Sequence, residues 1–416
     1  MNITMIAGYY PPEQCADTRL NKDFATSLSN MGHKVTVVVP FPTRNVPAEV
    51  QVKYREKKCE ILSDNLKIIR VGNPDIYKEG LIQRGWNLFW KSFTLYSEAK
   101  KIKTDVYFVV STPPFLGYVA ALLSKKAFVI YKLEDIFPDS LMYVKNYGEQ
   151  NLLIKGLRKL EKWVYRNVSL IVTESRDMQY TLINRGVSQS RIVVIPDWID
   201  EDSCYPVIRE DNVFFDKFNL NREDFYVCYA GNIGLLQNVT TIVRAAKIIA
   251  RKYPKIKFVI IGNGSCKTEV EKEITDAGIE NVFLFPMQPE KELAYIYSLG
   301  DVGIVSIKTG VTKIALPSKT WAIMSAGRPV ICEVDKSSAL SELMDKENCG
   351  YTVSSGDVLE LVKRIIELYR DRNLVAEMGK NGRKYILENM TRHLIMKKYE
   401  ELFQASWRIN GGNSNA

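Results

Sequence analysis

Only two histidines, His33 and His393, occur in the 416 residues. A histidine metal cluster is excluded, and a Ser-His-Asp triad would have to use one of the two. His33, in Gly32-His33-Lys34-Val35, reads as a helix-terminal residue that satisfies backbone carbonyls. The seven cysteines are scattered and form no C-x-x-C pair. That argues against a disulfide framework and a structural zinc, and suits reduced thiols in the cytoplasm. No apolar run approaches the ~20 residues of a membrane-spanning helix. The start, Asn2-Ile3-Thr4-Met5-Ile6-Ala7, is strand-like and lacks the features of a signal peptide, so a cytoplasmic location is expected. The loop after it, Gly8-Tyr9-Tyr10-Pro11-Pro12-Glu13, holds one glycine. It is not G-x-G-x-x-G, which disfavours a nicotinamide oxidoreductase.

What is present is the composition of a globular enzyme, 46% hydrophobic and 25% charged, long enough for two domains. The formal charge of +9 is unevenly spread. Residues 1–200 hold 28 Lys/Arg against 20 Asp/Glu, a net +8, and the remainder is nearly neutral. A basic half points to an anionic partner, either nucleic acid or a membrane surface. No nucleic-acid module is visible, so nucleic acid is not expected.

Short β-branched runs alternate with amphipathic helices throughout. Strands are expected at 3–7, 35–39, 66–71, 106–111, 128–133, 170–173 and 193–195. A second series is expected at 226–230, 258–261, 282–285, 302–307, 330–333 and 351–353. Strands apolar on both faces, separated by helices, imply α/β lobes with parallel sheets covered on both sides. The pattern pauses at 196–206, which reads as a linker. The expected lobes are therefore 1–200 and 201–390. The tail GGNSNA reads as disordered.

Ligands of doubly wound sheets bind at the carboxyl ends of the strands, so the loops there carry the candidate chemistry. In the first half these loops offer Arg19 on the first helix, Ser111-Thr112-Pro113-Pro114 and Glu134-Asp135-Ile136-Phe137-Pro138-Asp139. One of Glu134 and Asp135 could simply be an N-cap. In the second half, Ala230-Gly231-Asn232-Ile233-Gly234 reads as a strand end that opens a helix, and Gly262-Asn263-Gly264 repeats it one strand later. Glycines there allow a phosphate to approach the backbone. Pro317-Ser318-Lys319 begins a further helix, where Ser318 and Lys319 would suit a diphosphate; the bland alternative is a cap with an exposed lysine. Asp200-Glu201-Asp202 has the form of a D-x-D metal site but lies in the linker, so no metal site is assigned.

Together these segments resemble the GT-B glycosyltransferases, in particular the retaining family 4 and its bacterial members of O-antigen, capsule and colanic-acid-type polysaccharide assembly. The resemblance runs along nearly the whole chain. It rests on Tyr10-Pro11-Pro12-Glu13 with Arg19, Gly32-His33-Lys34-Val35-Thr36-Val37, Ser111-Thr112-Pro113-Pro114 and Asp135-Ile136-Phe137-Pro138-Asp139. The second half adds Tyr229-Ala230-Gly231-Asn232-Ile233-Gly234, Gly262-Asn263-Gly264 and Pro317-Ser318-Lys319.

The resemblance implies two Rossmann-like doubly wound lobes facing a cleft, an N-terminal acceptor lobe and a C-terminal nucleotide-sugar lobe. It implies that a helix at 391–410 packs back on the first lobe. It further implies retaining transfer of a hexosyl or N-acetylhexosaminyl group from a nucleotide sugar, a UDP-sugar, with no metal and no other cofactor. The acceptor would be a glycan or a polyprenyl-diphosphate-linked sugar. The donor would lie on Gly231, Asn232, Gly234, Gly262, Asn263, Gly264, Ser318 and Lys319, with the base near Phe285 and Pro286. Asp135, Arg19 and Lys319 would carry catalysis.

One departure is plain: the family's E-x7-E glutamates would fall at Ile314 and Ala322. Glu333 is a candidate replacement for the ribose contact. The alternatives are a nucleotide-sugar epimerase of the same fold and a non-catalytic nucleotide- or polyanion-binding protein.

Two segments carry apolar residues at helical spacing with many basic neighbours. Residues 81–103 hold Trp86, Phe89, Trp90 and Phe93 with Arg84, Lys91, Lys100, Lys101 and Lys103. Residues 152–167 hold Leu153, Leu157, Leu160 and Val164 with Lys155, Arg158, Lys159, Lys162 and Arg166. Each stripe is either core-facing or a peripheral contact to the anionic inner face of the cell membrane.

Overall fold

The structure is a computed structural model and describes residues 1–13, 15–43, 46–72, 81–409 and 411. The side chains of Arg84, Trp86 and Phe89, and residues 412–416 of the tail, lie outside the described residues. The chain forms two compact units. Unit 1 is 1–142, 146–195 and 396–416; unit 2 is 143–145 and 196–395.

Unit 1 is built on an eight-stranded sheet. In chain order its strands are β1 (Asn2–Ile6), β2 (Lys34–Pro40), β3 (Cys59–Ser63), β4 (Leu66–Val71), β5 (Val106–Val110), β6 (Phe128–Leu133), β7 (Leu170–Thr173) and β8 (Ile192–Val194). Their spatial order is β3-β4-β2-β1-β5-β6-β7-β8. All pairings are parallel except β3 with β4. The central strands are continuous Val/Ile/Phe runs; all five residues of β5 are buried. That is the pattern a sheet covered on both faces requires.

β3 is the one strand absent from the sequence expectations. Its residues, CEILS, are mostly exposed at the sheet edge. No buried face imposes a period on them, so the hydrophobic pattern carries no signal.

The last helix, Arg392–Ile409, supplies Tyr399 and Phe403 to the core of unit 1. Tyr399 stands edge-on to Phe24 at 4.9 Å, and Phe24 stacks on Phe108 at 4.2 Å. His33 is bonded to Glu400 on this helix, Nε2 to Oε2 at 2.5 Å. The expectation that His33 satisfies backbone carbonyls is therefore corrected: a carboxylate is its partner.

Unit 2 holds six strands, all parallel: β9 (Phe225–Asn232), β10 (Ile256–Asn263), β11 (Val282–Phe285), β12 (Val302–Ser306), β13 (Val330–Val334) and β14 (Gly350–Ser354). Their order is β11-β10-β9-β12-β13-β14. Numbered from β9 as first, that is 3-2-1-4-5-6, the doubly wound nucleotide-binding order. Its switch point lies between β9 and β12.

Candidate functional site

In unit 2 the glycines cluster at the carboxyl ends of β9 and β10. The two strands stay in register to their tips, with Gly231 opposite Gly262 and Asn232 opposite Asn263. These residues end strands and do not open helices, which corrects the expectation from the sequence. The helices begin later, at Val239 and Lys267. The reason is steric. A Cβ at Gly262 would stand 2.0 Å from the Gly231 carbonyl oxygen, and one at Gly264 2.2 Å from that of Ile233. The glycines let two strand ends close on one another, so the ladder continues through them.

Lys319 reaches this point from the first turn of the helix Lys319–Ser325. A Cβ built on Gly231 would meet its Cε at 1.8 Å and its Nζ at 2.9 Å. Gly231 also has φ +143°, a conformation L side chains rarely adopt. The ammonium is half-buried, has no carboxylate within ion-pair range among the described residues, and burial lowers its pKa. Ser318 precedes it as N-cap without a side-chain cap bond. A half-buried lone cation beside glycine backbone at a strand terminus is chemically suited to a phosphate.

The remaining unit 2 residues group as follows. Asn232 donates to Gln237 at 3.2 Å, and Gly234 sits against both side chains. Asn263 accepts from the Gly264 amide at 2.9 Å. Phe285, the last residue of β11, stacks on Phe218 at 3.7 Å with the rings 7° from parallel. The Pro286 carbonyl accepts from Gln288.

Glu333 does not fit the suggested ribose role. It is fully buried on β13. It accepts from Ser306 Oγ at 2.7 Å, Asn238 Nδ2 at 2.9 Å and the Gly356 amide at 2.6 Å. Burial pushes its pKa up while these donors pull it down. The carboxylate is a buried hub that ties the loop after β9 to the loop after β14. Ala322 and Ile314 are buried as well, at 6% and 3% exposure. Asp200 bonds to Ser203 within its own turn.

In unit 1 the acidic pair after β6 divides. Glu134 accepts from Thr112 Oγ1 at 2.7 Å and from the buried Lys132 at 3.2 Å. Its amide donates to Ser111 Oγ. Asp135 is exposed, and neither residue caps a helix: the N-cap of Asp139–Lys145 is Pro138. Crowding by protein and then the Glu134 charge raise the Asp135 carboxyl to about 6. Solvent contact at the residue limits that rise.

Asp139, at the end of the same loop, is clamped by two arginines. Arg158 binds both its oxygens, at 2.6 and 2.9 Å, and Arg185 adds a bond at 2.7 Å. Glu161 completes the cluster by pairing with Arg185 and, at 3.2 Å, with Arg158. Sequence periodicity does not reveal this network, because its members lie 46 residues apart at most and share no motif. Arg19 is half-buried on the helix Ala16–Asn30. The loop before it is braced by Arg70, which donates to the Pro11 carbonyl at 2.6 Å, and by Glu13, which accepts from the Thr43 amide at 2.9 Å.

The helix Leu152–Asn167 turns Val164 into its own unit, with Leu157 and Leu160 half-buried, so that stripe is largely core-facing. Leu152 and Leu153 stay 84% and 54% exposed. On Leu81–Ala99, Trp90 and Phe93 are exposed, but Lys91 turns inward to Thr43 and burial lowers its pKa.

Two doubly wound lobes, one with a cation set on a glycine-built strand terminus, define a GT-B architecture. The family 4 glycosyltransferase model matches residues 18–203, and the group 1 glycosyl transferase model matches residues 210–385. The chain belongs to these glycosyltransferase families, one domain in each half. It is 23% identical over 370 residues to a probable glycosyltransferase, WbjE, of Pseudomonas aeruginosa, covering 88% of each chain. It is 28% identical to the putative colanic acid biosynthesis glycosyl transferase WcaI of Escherichia coli, covering 83% of this chain and 86% of that one. Among solved structures, sucrose-phosphate synthase of Thermosynechococcus elongatus superposes with a TM-score of 0.77 at 16% identity, over 98% of this chain and 99% of that one. HepE of Anabaena, solved with UDP and glucose, superposes with a TM-score of 0.73 at 14% identity, over 97% and 100%.

Proposed function

We propose that this glycosyltransferase moves a sugar from a UDP-sugar to a glycan or polyprenyl-diphosphate-linked acceptor during surface polysaccharide assembly, with retention at the anomeric carbon and without a metal. The carrying observation is Lys319 laid across Gly231. The departing diphosphate gains negative charge in the transition state. Cations and backbone donors already fixed at that point stabilise it, and in many enzymes such preorganised charge lowers the barrier more than any other effect. Lys319, Ser318 and the Gly231–Asn232 and Gly262–Gly264 termini fill that role. Phe285 and Pro286 take the base. Asp135 and Arg19 take part from unit 1. The nucleotide preference is supported by HepE, solved with UDP and glucose, and the pathway by the colanic-acid relative.

The exposed Leu152, Leu153, Trp90 and Phe93, with the basic balance of unit 1, support peripheral contact with an anionic membrane. Each basic residue near such a surface contributes about 1 kcal/mol.

The test is a donor screen. UDP should raise the melting temperature, and a UDP-sugar should release UDP faster when acceptor is added. No stabilisation by any nucleotide, or GDP acting in place of UDP, overturns the donor assignment.

A further inference from the structure

A narrow slot opens beside Asp135. Its cavity measures about 30 Å³ as space open to water-sized spheres. The walls are mostly apolar, with Phe115, Phe137, Leu157, Leu160 and Val164 the main contributors. Asp135, Pro114 and Tyr118 are its exposed residues, and Tyr131 and Gly117 lie buried within it.

Tyr131 is the telling residue. It is 4% exposed, and its hydroxyl has no hydrogen-bond partner among the described residues. Burial raises its pKa, so it keeps its proton and can donate. Gly117 makes room for it: a Cβ there would stand 2.7 Å from the hydroxyl and 3.2 Å from Val164 Cγ1.

Two other polar groups of the lining are already engaged, and Asp135 and Tyr118 are its exposed polar members. Glu161 is held by Arg158 and Arg185, and Ser111 Oγ accepts from the Glu134 amide. The space is too small for a sugar ring. It suits a methyl-sized group that carries one acceptor oxygen.

We propose that the slot holds the acetamido group of an N-acetylated acceptor sugar, its methyl against Leu157, Leu160 and Val164 and its carbonyl oxygen accepting from the Tyr131 hydroxyl. This deepens the transferase reading above and rests on it. It makes Tyr131 a specificity residue: its hydroxyl gains this hydrogen bond only when the acetamido oxygen is there.

The experiment compares octyl glycosides of N-acetylglucosamine and glucose, and of N-acetylgalactosamine and galactose, as acceptors and as calorimetric ligands of the full chain. In at least one pair the acetamido sugar should bind, and react in kcat/KM, at least about tenfold better. That corresponds to ~1.4 kcal/mol. Tyr131→Phe, checked by thermal melt, should bring that ratio close to one. Leu157→Phe, which fills the slot from a half-buried position, should lower the ratio even if Tyr131→Phe folds poorly. Equal affinities in both pairs, or a ratio untouched by both variants, overturns the proposal. So does a 6-deoxy sugar outcompeting both acetamido sugars, since it needs the apolar walls but not the hydroxyl. Failure of the transferase reading looks different: no UDP is released with any donor, while the calorimetric ratio stays readable.

Discussion

Lys319 lies across Gly231 so closely that a single carbon added to the glycine would stand 1.8 Å from the lysine's Cε. The two residues are 88 positions apart, and each makes the other's arrangement possible. Gly231→Ala should therefore push the lysine aside, since its flexible end can yield. It should also strain the backbone at φ +143°. Lys319→Ala removes the cation and leaves the helix. A hydrogen bond to a charged group contributes about 1.5–3 kcal/mol. Transfer should slow roughly 10²–10³-fold in Lys319→Ala, with a near-normal melt and lost stabilisation by UDP. Lys319→Arg should recover only part of the rate, because its planar fork does not reproduce a compact ammonium. Near wild-type turnover in the alanine variant would remove Lys319 from the donor site.

The alternating pattern and the strand termini are legible because buried parallel strands must be apolar throughout, and glycines at their ends have few other uses. β3 is not, because an exposed edge has no period. The helix after Gly231 starts several residues later than its glycines suggest. Loop 233–238 intervenes, and only contacts such as Asn232 with Gln237 reveal it. Glu333 shows the limit most clearly. A glutamate at the end of an apolar strand looks like a ligand group. Only the positions of Ser306, Asn238 and Gly356 show that its oxygens are already occupied.

Glu333→Ala should therefore act on stability. It leaves a void in unit 2 and strands the Asn238 and Gly356 donors, a loss of about 1–3 kcal/mol for unsatisfied groups alone. Glu333→Gln keeps the shape. Its amide oxygen can take the two N–H donors, and the Ser306 hydroxyl can rotate to accept. Its melt should lie close to wild type. A direct ribose contact would predict the reverse: normal melting for both variants, and lost nucleotide affinity.

Ala322→Glu tests the missing family glutamate. Ala322 is 6% exposed, and its carbonyl accepts from Cys204 Sγ. A glutamate there must bury a carboxylate or displace its neighbours. The variant should melt lower and gain no donor affinity. A tenfold gain, ~1.4 kcal/mol, would show that the ribose geometry survives and has merely lost its side chain.

Asp135, raised to about 6, gives a pH test with a definite sign. The folded state holds this proton more tightly than the unfolded chain does. The carboxyl therefore subtracts stability as pH rises from its ordinary 3.8 through about 6. Asp135→Asn should remove that loss, so its melting temperature should gain on wild type across this window. If the ionised form serves transfer, kcat should fall as pH drops through about 6 in wild type. The asparagine variant should be slow and flat. A wild-type profile with no inflection there would remove Asp135 from the chemistry.

The arginine clamp on Asp139 should show the opposite sign. Burial alone would raise the Asp139 pKa, but the hydrogen bonds from Arg158 and Arg185 more than reverse it. A depressed carboxylate contributes stability above its unfolded pKa and loses it as pH falls through the folded value. Arg185→Met removes one clamp from Asp139 and leaves the 8%-exposed Glu161 with Arg158 as its one remaining arginine. Breaking a buried pair costs about 3–5 kcal/mol. Arg185 is 23% exposed at its side chain, so the low end applies. At 2–4 °C per kcal/mol for a domain of this size, the melt should fall by roughly 6–12 °C at neutral pH. Below the ordinary carboxylate pKa the unfolded chain is already protonated, and the pairing is being lost in wild type too. The difference between wild type and variant should therefore shrink as the pH is lowered toward about 3. Glu161 works slightly against this trend, because burial raises its pKa and its ionised form is the costly one. Asp139 accepts three of the bonds and should dominate. A difference that stays constant from neutral to acid would mean that Arg185 supports the loop by packing, with no contribution from its charge.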